Sequence, residues 1–232
     1  AYDQLIHDGA LQNLPIVIAL DRAGLVGEDG PTHHGIFDVA FLNQIPGFTV
    51  YSPETYGELE VCLKKAVALP SPAAVRYPRG KEATCTQETV FADDTLAVYD
   101  YGSDPAVVFY TYGRFSAEVR QAAETLAGKG ISARVVRLIR VKPLEISPLA
   151  AYAEGASLVY VAEEGIREGG VGETLVSAFA EAGLCRNTRV FIRAIAGQFP
   201  THGTTKELFA DLGMTAEQMA AEAEGMVGSL AH

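Results

Sequence analysis

Basic residues, cysteines and long apolar runs are all scarce in this chain, and each shortage excludes something. Lys and Arg number 18 against 29 Asp and Glu, a formal net charge of −11. Nucleic acid and anionic membrane surfaces reward a basic face, so neither is the expected partner. An anionic small substrate would have to be held by a few local arginines against an unfavourable overall field. The three cysteines, Cys62, Cys85 and Cys185, are odd in number and far apart. They offer no CxxC, no Cys/His spacing for zinc and no disulfide framework, which fits a reduced, cytoplasmic compartment. No His-x-x-x-His pair exists, and no bound metal is expected from this chain's residues. Apolar runs reach only strand length, so no membrane span is expected. Internal repeats and low-complexity tracts are absent. The chain opens Ala1-Tyr2-Asp3, without an initiator Met or a targeting signal, and reads as a piece of something longer.

What is present is the alternation of an α/β protein. The 232 residues are 48% hydrophobic, enough for one large or two small domains. Apolar runs at 15–20, 47–51, 73–76, 106–110, 133–138, 157–163 and 189–194 predict strands. Between them lie helical patterns. One follows Ser52, with Ser52 as cap, Pro53 in the first turn, and Leu59, Cys62, Leu63, Ala66 and Val67 as its apolar stripe. Others run from Phe115 to Ala127, from near Gly170, and from Thr215, where Thr215 and Gln218 have capping-box spacing. Strands alternating with helices imply parallel sheets wound by right-handed crossovers. The pattern lapses into polar, turn-rich sequence at 81–103, which places a linker there between a first domain (1–80) and a second (104–232). The second holds four strand runs, enough for a self-contained domain. The first holds three and would leave an open edge needing upstream strands.

The chemistry concentrates in residues 21–35, Asp-Arg-Ala-Gly-Leu-Val-Gly-Glu-Asp-Gly-Pro-Thr-His-His-Gly, directly after a predicted buried strand. Open α/β sheets place ligand sites there. His33 and His34 stand among glycines, with Asp29 close by, and an imidazole suits proton transfer near neutrality. Arg22 has a plain role as ion-pair partner of Asp21, Glu28 or Asp29. A second cluster, Arg76-Tyr77-Pro78-Arg79-Gly80, ends another short strand, so both guanidinium groups are expected to emerge at a strand's end. Guanidinium forks bind phosphate in a bidentate way. Residues 163–172, Glu-Glu-Gly-Ile-Arg-Glu-Gly-Gly-Val-Gly, form a glycine-rich turn entering a helix. It matches neither GxGxxG nor the P-loop, and its acids would repel phosphate, so a structural turn is expected. His202-Gly203, in a late loop, carries no comparable signal.

Together these motifs resemble the 1-deoxy-D-xylulose-5-phosphate synthase family of the transketolase superfamily. The opening Ala1-Tyr2-Asp3-Gln4, the loop 21–35 and Arg76-Tyr77-Pro78-Arg79-Gly80 follow the family's order and spacing. So do Arg140-Val141-Lys142-Pro143-Leu144, Glu163-Glu164 and the glycine turn, and the likeness covers essentially the whole chain. The resemblance implies the later part of a pyrimidine-type thiamine-diphosphate-binding domain, followed by a complete transketolase C-terminal-like domain. It implies decarboxylative condensation of pyruvate with D-glyceraldehyde 3-phosphate, serving isoprenoid, thiamine and pyridoxal synthesis. Arg22 and Arg79 would grip the aldehyde's phosphate, and Asp29 and His33 would serve as the catalytic pair at the reacting centre. His34, where the family often has Gln, and Arg76 are possible additions. Thiamine diphosphate and Mg2+ would be bound by residues upstream of this chain, so the chain alone is expected to be inactive and to need the N-terminal remainder, in a homodimer. Transketolase or a 2-oxoacid dehydrogenase β-subunit stands close by in the same superfamily. A non-catalytic dimerisation or regulatory module is a reading of another class.

Overall fold

All seven predicted strands form in a computed structural model, which describes residues 1–82 and 95–229, with Glu28 as backbone only. In the first half, α1 (Tyr2–Gln4) runs into a wider helical turn (Leu5–Ala10), followed by β1 (Val17–Leu20), α2 (Asp38–Gln44), β2 (Thr49–Tyr51), α3 (Tyr56–Ala68) and β3 (Ala73–Arg76). The second half holds β4 (Leu96–Tyr101), β5 (Val107–Tyr112), α4 (Ser116–Gly128), β6 (Ala133–Leu138), β7 (Arg140–Lys142), α5 (Ile146–Tyr152) and β8 (Leu158–Ile166). It ends with α6 (Val171–Glu181), β9 (Arg189–Ile195), α7 (Thr205–Asp211) and α8 (Ala216–Gly228).

These strands make two sheets, of order β1-β3-β2-β7 and β4-β6-β5-β8-β9. β1, β3 and β2 are parallel, as are β6, β5, β8 and β9, whereas β7 and β4 join as antiparallel edges. Every residue of β5 is buried, as a central parallel strand requires. On one face of the second sheet, Val119, Ala122, Ala123 and Leu126 of α4 pack with Met219, Ala220 and Ala223 of α8.

Four details differ from the sequence-based expectation. First, β4 lies inside the interval 81–103 expected to be a linker. Its Leu96, Ala97 and Tyr99 are buried while Asp100 faces solvent and pairs with Arg134 at 2.6 Å, the mixed pattern of an edge strand. Residues 83–94 of that interval, Cys85 among them, lie outside the described residues. Second, β7 leaves the second half to close the first sheet, with Lys142 opposite Val50. The two halves also share a core, in which Val39, Leu42, Phe48 and Val50 meet Val108, Tyr110, Val159 and Leu175. Third, the cap of α3 is Thr55, whose hydroxyl accepts the Glu58 amide at 3.1 Å, while Ser52 accepts from Arg76. Fourth, Val67 is 72% exposed, because α3 covers the first sheet chiefly through Cys62 and Ala66. The Thr215 capping box forms as expected.

Four buried charges fasten the halves together. Arg120 forks onto Glu54 at 2.9 and 2.6 Å, and Arg137 forks onto Glu58 while its Nε lies 3.3 Å from Glu54.

Candidate functional site

β1 and β3 are neighbours, so the segments leaving their C-terminal ends run side by side. Tyr77 donates its amide to Leu20 at 2.9 Å, and Ala23 donates to Tyr77 at 3.0 Å. The loop 21–35 then closes on itself, with Gly24 and Gly35 exchanging amide–carbonyl bonds of 3.0 and 2.8 Å. Gly24 is required twice over. Its φ is +76°, and a Cβ there would sit 2.4 Å from the Glu164 carboxyl carbon. Within this ring, one 3-10 turn (Gly27–Asp29) sets the backbone that presents Asp29.

Asp29 is where the arginines meet. Arg79 donates to Asp29 Oδ2, and Arg22 Nε lies 3.6 Å from the same oxygen. Arg22 also pairs with Asp21, so two of the ion pairs open to it in sequence are formed. The Arg79 hydrogen bond holds the Asp29 carboxyl below the usual carboxylate range. A cleft of about 290 Å³ opens beside this cluster, lined by Val26, Gly27, Asp29, Arg79, Thr204 and Thr205. His33 is exposed and near enough to act on the Asp29 carboxyl, its Nδ1 2.9 Å from the Thr32 hydroxyl, but it is not part of the cleft's lining.

His34 and Arg76 do not join this group. His34 is buried, with Nδ1 accepting the Val26 amide at 3.1 Å and Nε2 3.1 Å from the Thr201 carbonyl. That pattern fits one tautomer, Nε2–H, and both ring nitrogens are used in tying the loop to the segment before α7. Arg76 was expected to emerge beside Arg79, yet it is 4% exposed. β3 is buried along its whole length, so its last side chain has no solvent side to take. The guanidinium donates to Ser52 at 3.2 Å and to Gly35 O at 3.4 Å, lies 3.7 Å from Asp38, and sits 5.2 Å over the Tyr112 ring. It is a cation of the interior, joining the halves.

The structure gives partners to two acids that the sequence offered only as part of a motif. Glu163 is 1% exposed and accepts from the Tyr112 hydroxyl and from the Val171 and Gly172 amides, each at 3.0 Å. Burial pushes its carboxyl up, and those three donors offset part of the rise. The first amides of α6 are therefore engaged by Glu163, and the turn is structural, as its acids suggested. Glu164 accepts the Leu25 amide at 2.7 Å and lies 3.4 Å from Arg114 Nη2; burial pushes its carboxyl up as well. The hints in sequence are the adjacency of two acids at the end of an apolar strand and the place of Glu163-Glu164 among the motifs of the resemblance. Glu54, Glu58, Glu163 and Glu164 are thus each bound to arginine or backbone amides. With those partners these four carboxylates serve the interior of the fold.

Two family models match the chain: the transketolase pyrimidine binding domain over residues 1–83 and the transketolase C-terminal domain over residues 99–219. Among curated relatives, 1-deoxy-D-xylulose-5-phosphate synthase 1 of Geobacter sulfurreducens is 38% identical over 99% of this chain and 36% of its own length. The 1-deoxy-D-xylulose-5-phosphate synthase of Pelotomaculum thermopropionicum is 39% identical over 94% of this chain and 34% of its own length. The chain therefore spans about a third of the length of these relatives. Among solved structures, a split gene transketolase described as an inactive beta4 tetramer superposes with a TM-score of 0.79 at 22% identity, over 98% of this chain and 72% of that one. A transketolase from Campylobacter jejuni gives 0.70 at 19% identity, over 91% of this chain and 32% of its own. At such identities the superpositions show a common fold.

Proposed function

Because this chain belongs to the transketolase family, we propose that it carries the acceptor-aldehyde side of a 1-deoxy-D-xylulose-5-phosphate synthase. That enzyme is a transferase condensing pyruvate with D-glyceraldehyde 3-phosphate, with release of CO2. The observation that supports the reading is the meeting of Arg22 and Arg79 at Asp29 beside an open cleft. Two guanidinium groups on adjacent strand ends suit a phosphate dianion, and binding it means displacing Asp29 from them. Released from Arg79, Asp29 and the neighbouring His33 face the aldehyde. His33 then supplies a proton at the aldehyde oxygen as the new carbon–carbon bond forms. Thiamine diphosphate with its Mg2+, and the pyruvate side of the reaction, belong to the remainder of the enzyme, working as a homodimer. In that complete enzyme, Arg79→Ala should raise the Michaelis constant for D-glyceraldehyde 3-phosphate at least about tenfold, the loss of one charge-assisted contact, and leave that for pyruvate unchanged. An equal rise for both substrates counts against a phosphate grip.

A further inference from the structure

Arg114 lies outside every motif read from the sequence. It follows β5 in a single 3-10 turn (Gly113–Phe115), where Gly113 has a φ of +62° and a Cβ would lie 2.7 Å from the Ser52 hydroxyl oxygen. From this turn of the second half, its guanidinium reaches two separate segments of the first. Nη1 donates to the Arg79 carbonyl at 3.0 Å, and Nη2 donates to the Leu25 carbonyl at 3.2 Å. Nη2 also lies 3.4 Å from Glu164 Oε1, the same oxygen that accepts the Leu25 amide at 2.7 Å. Leu25 stands on the loop between Arg22 and Asp29, and Arg79 ends the other segment. One buried carboxylate and one planar fork therefore fix both backbones that carry the phosphate-facing side chains. An ammonium on a flexible stem cannot span the same three acceptors in one plane.

Resting on the reading of Arg22 and Arg79 as a phosphate grip, we propose that Arg114, held by Glu164, is a positioning residue that sets the spacing of those two arginines. It acts through the carbonyls of Leu25 and Arg79, with no contact to the phosphate itself. Two guanidinium groups share one phosphate only when their backbones are held at the right separation, and here the second half of the chain provides that hold.

The test is calorimetric titration of the chain with inorganic phosphate at fixed low ionic strength, with circular dichroism to verify folding. Arg79→Ala should weaken binding at least about tenfold, as loss of a charge-assisted contact. Arg114→Ala and Arg114→Lys should each weaken it by about tenfold, and Glu164→Gln by a smaller factor, with the fold intact. Failure of Arg114→Lys to rescue is the decisive result, because lysine keeps the charge and loses the fork. Phosphate binding by Arg114→Lys equal to that of the parent overturns the proposal. So does unchanged affinity in Arg114→Lys and Glu164→Gln with only a lower melting temperature. Should Arg114→Ala not fold, those two variants decide. Unchanged binding in Arg79→Ala removes the phosphate grip itself, and the inference with it; weakened binding there alone removes only the role of Arg114.

Discussion

Replacing Arg137 by Met should be among the most damaging single changes in this chain, and the reason is the charge it would leave behind. Arg137 is fully buried on β6, donates to both oxygens of Glu58 on α3, and has its Nε 3.3 Å from Glu54. Methionine keeps most of the volume, so the cavity contribution is small and the loss is electrostatic. Removing one partner of a buried ion pair costs about 3–5 kcal/mol. Glu58 retains the Glu54 amide at 2.8 Å and Glu54 retains the Arg120 fork, which places the expected loss near the lower end, about 3 kcal/mol. Burial by itself raises the Glu58 carboxyl, but Arg137 and the Glu54 amide overcome it and hold the group below its ordinary 4.5. A carboxylate depressed in the folded state contributes stability that is present above about 4.5 and lost as pH falls through the folded value. In the variant the depression is gone and burial prevails, so acid relieves the unpaired charge. Urea unfolding should therefore show a gap between parent and variant that is wide at pH 7 and narrows towards pH 4. Glu58→Met combined with Arg137→Met removes both charges and should be more stable than Arg137→Met alone. A loss under about 1 kcal/mol at pH 7, a gap indifferent to pH, or a double variant worse than the single would refute the reasoning.

Other outcomes are expected from the same structure. Lys142 donates to the Leu42 and Asn43 carbonyls at 2.7 and 3.1 Å and to Ile45, closing the end of α2 from β7. Lys142→Met should cost about 1–3 kcal/mol and speed amide exchange across α2; exchange rates like the parent's would show that β7 docks without it. In the complete enzyme, His33→Ala should lower turnover by roughly 10²–10⁴-fold with little change in melting temperature, since the ring is exposed and, among the described residues, bonded only to Thr32; near-parental turnover removes its proton-transfer role. Burial pushes the Cys62 thiol up to about 12, so iodoacetamide at pH 8 should leave Cys62 unlabelled in the native chain and label it in urea. Peptide mass mapping reads this directly, and native labelling contradicts the burial.

Sequence and tertiary structure divided the information along a physical line. Local periodicity located seven strands and the helices at α4, α6 and α8, because a residue's place on a strand or helix face repeats every few positions. It also singled out the segments carrying Arg22, Asp29 and Arg79, which the fold brings together beside one cleft, because charge and glycine at the end of a buried strand stand out without knowledge of the partners. It did not reveal β4 and β7. One is an edge strand with a polar face and the other is three residues long, and both depend on partners distant in the chain. Nor did it separate Arg79 from Arg76, three residues apart in one motif. Arg76 is drawn inside by Asp38, Ser52 and Tyr112, whereas Arg79 stays at the cleft. The same holds for His34, used up between Val26 and Thr201, and for Arg114 and Glu164, which act only through segments far away in sequence. The residue types a site requires are written locally. Which of two like side chains faces solvent, and what fixes the backbone beneath it, is decided by packing between halves that no local pattern encodes.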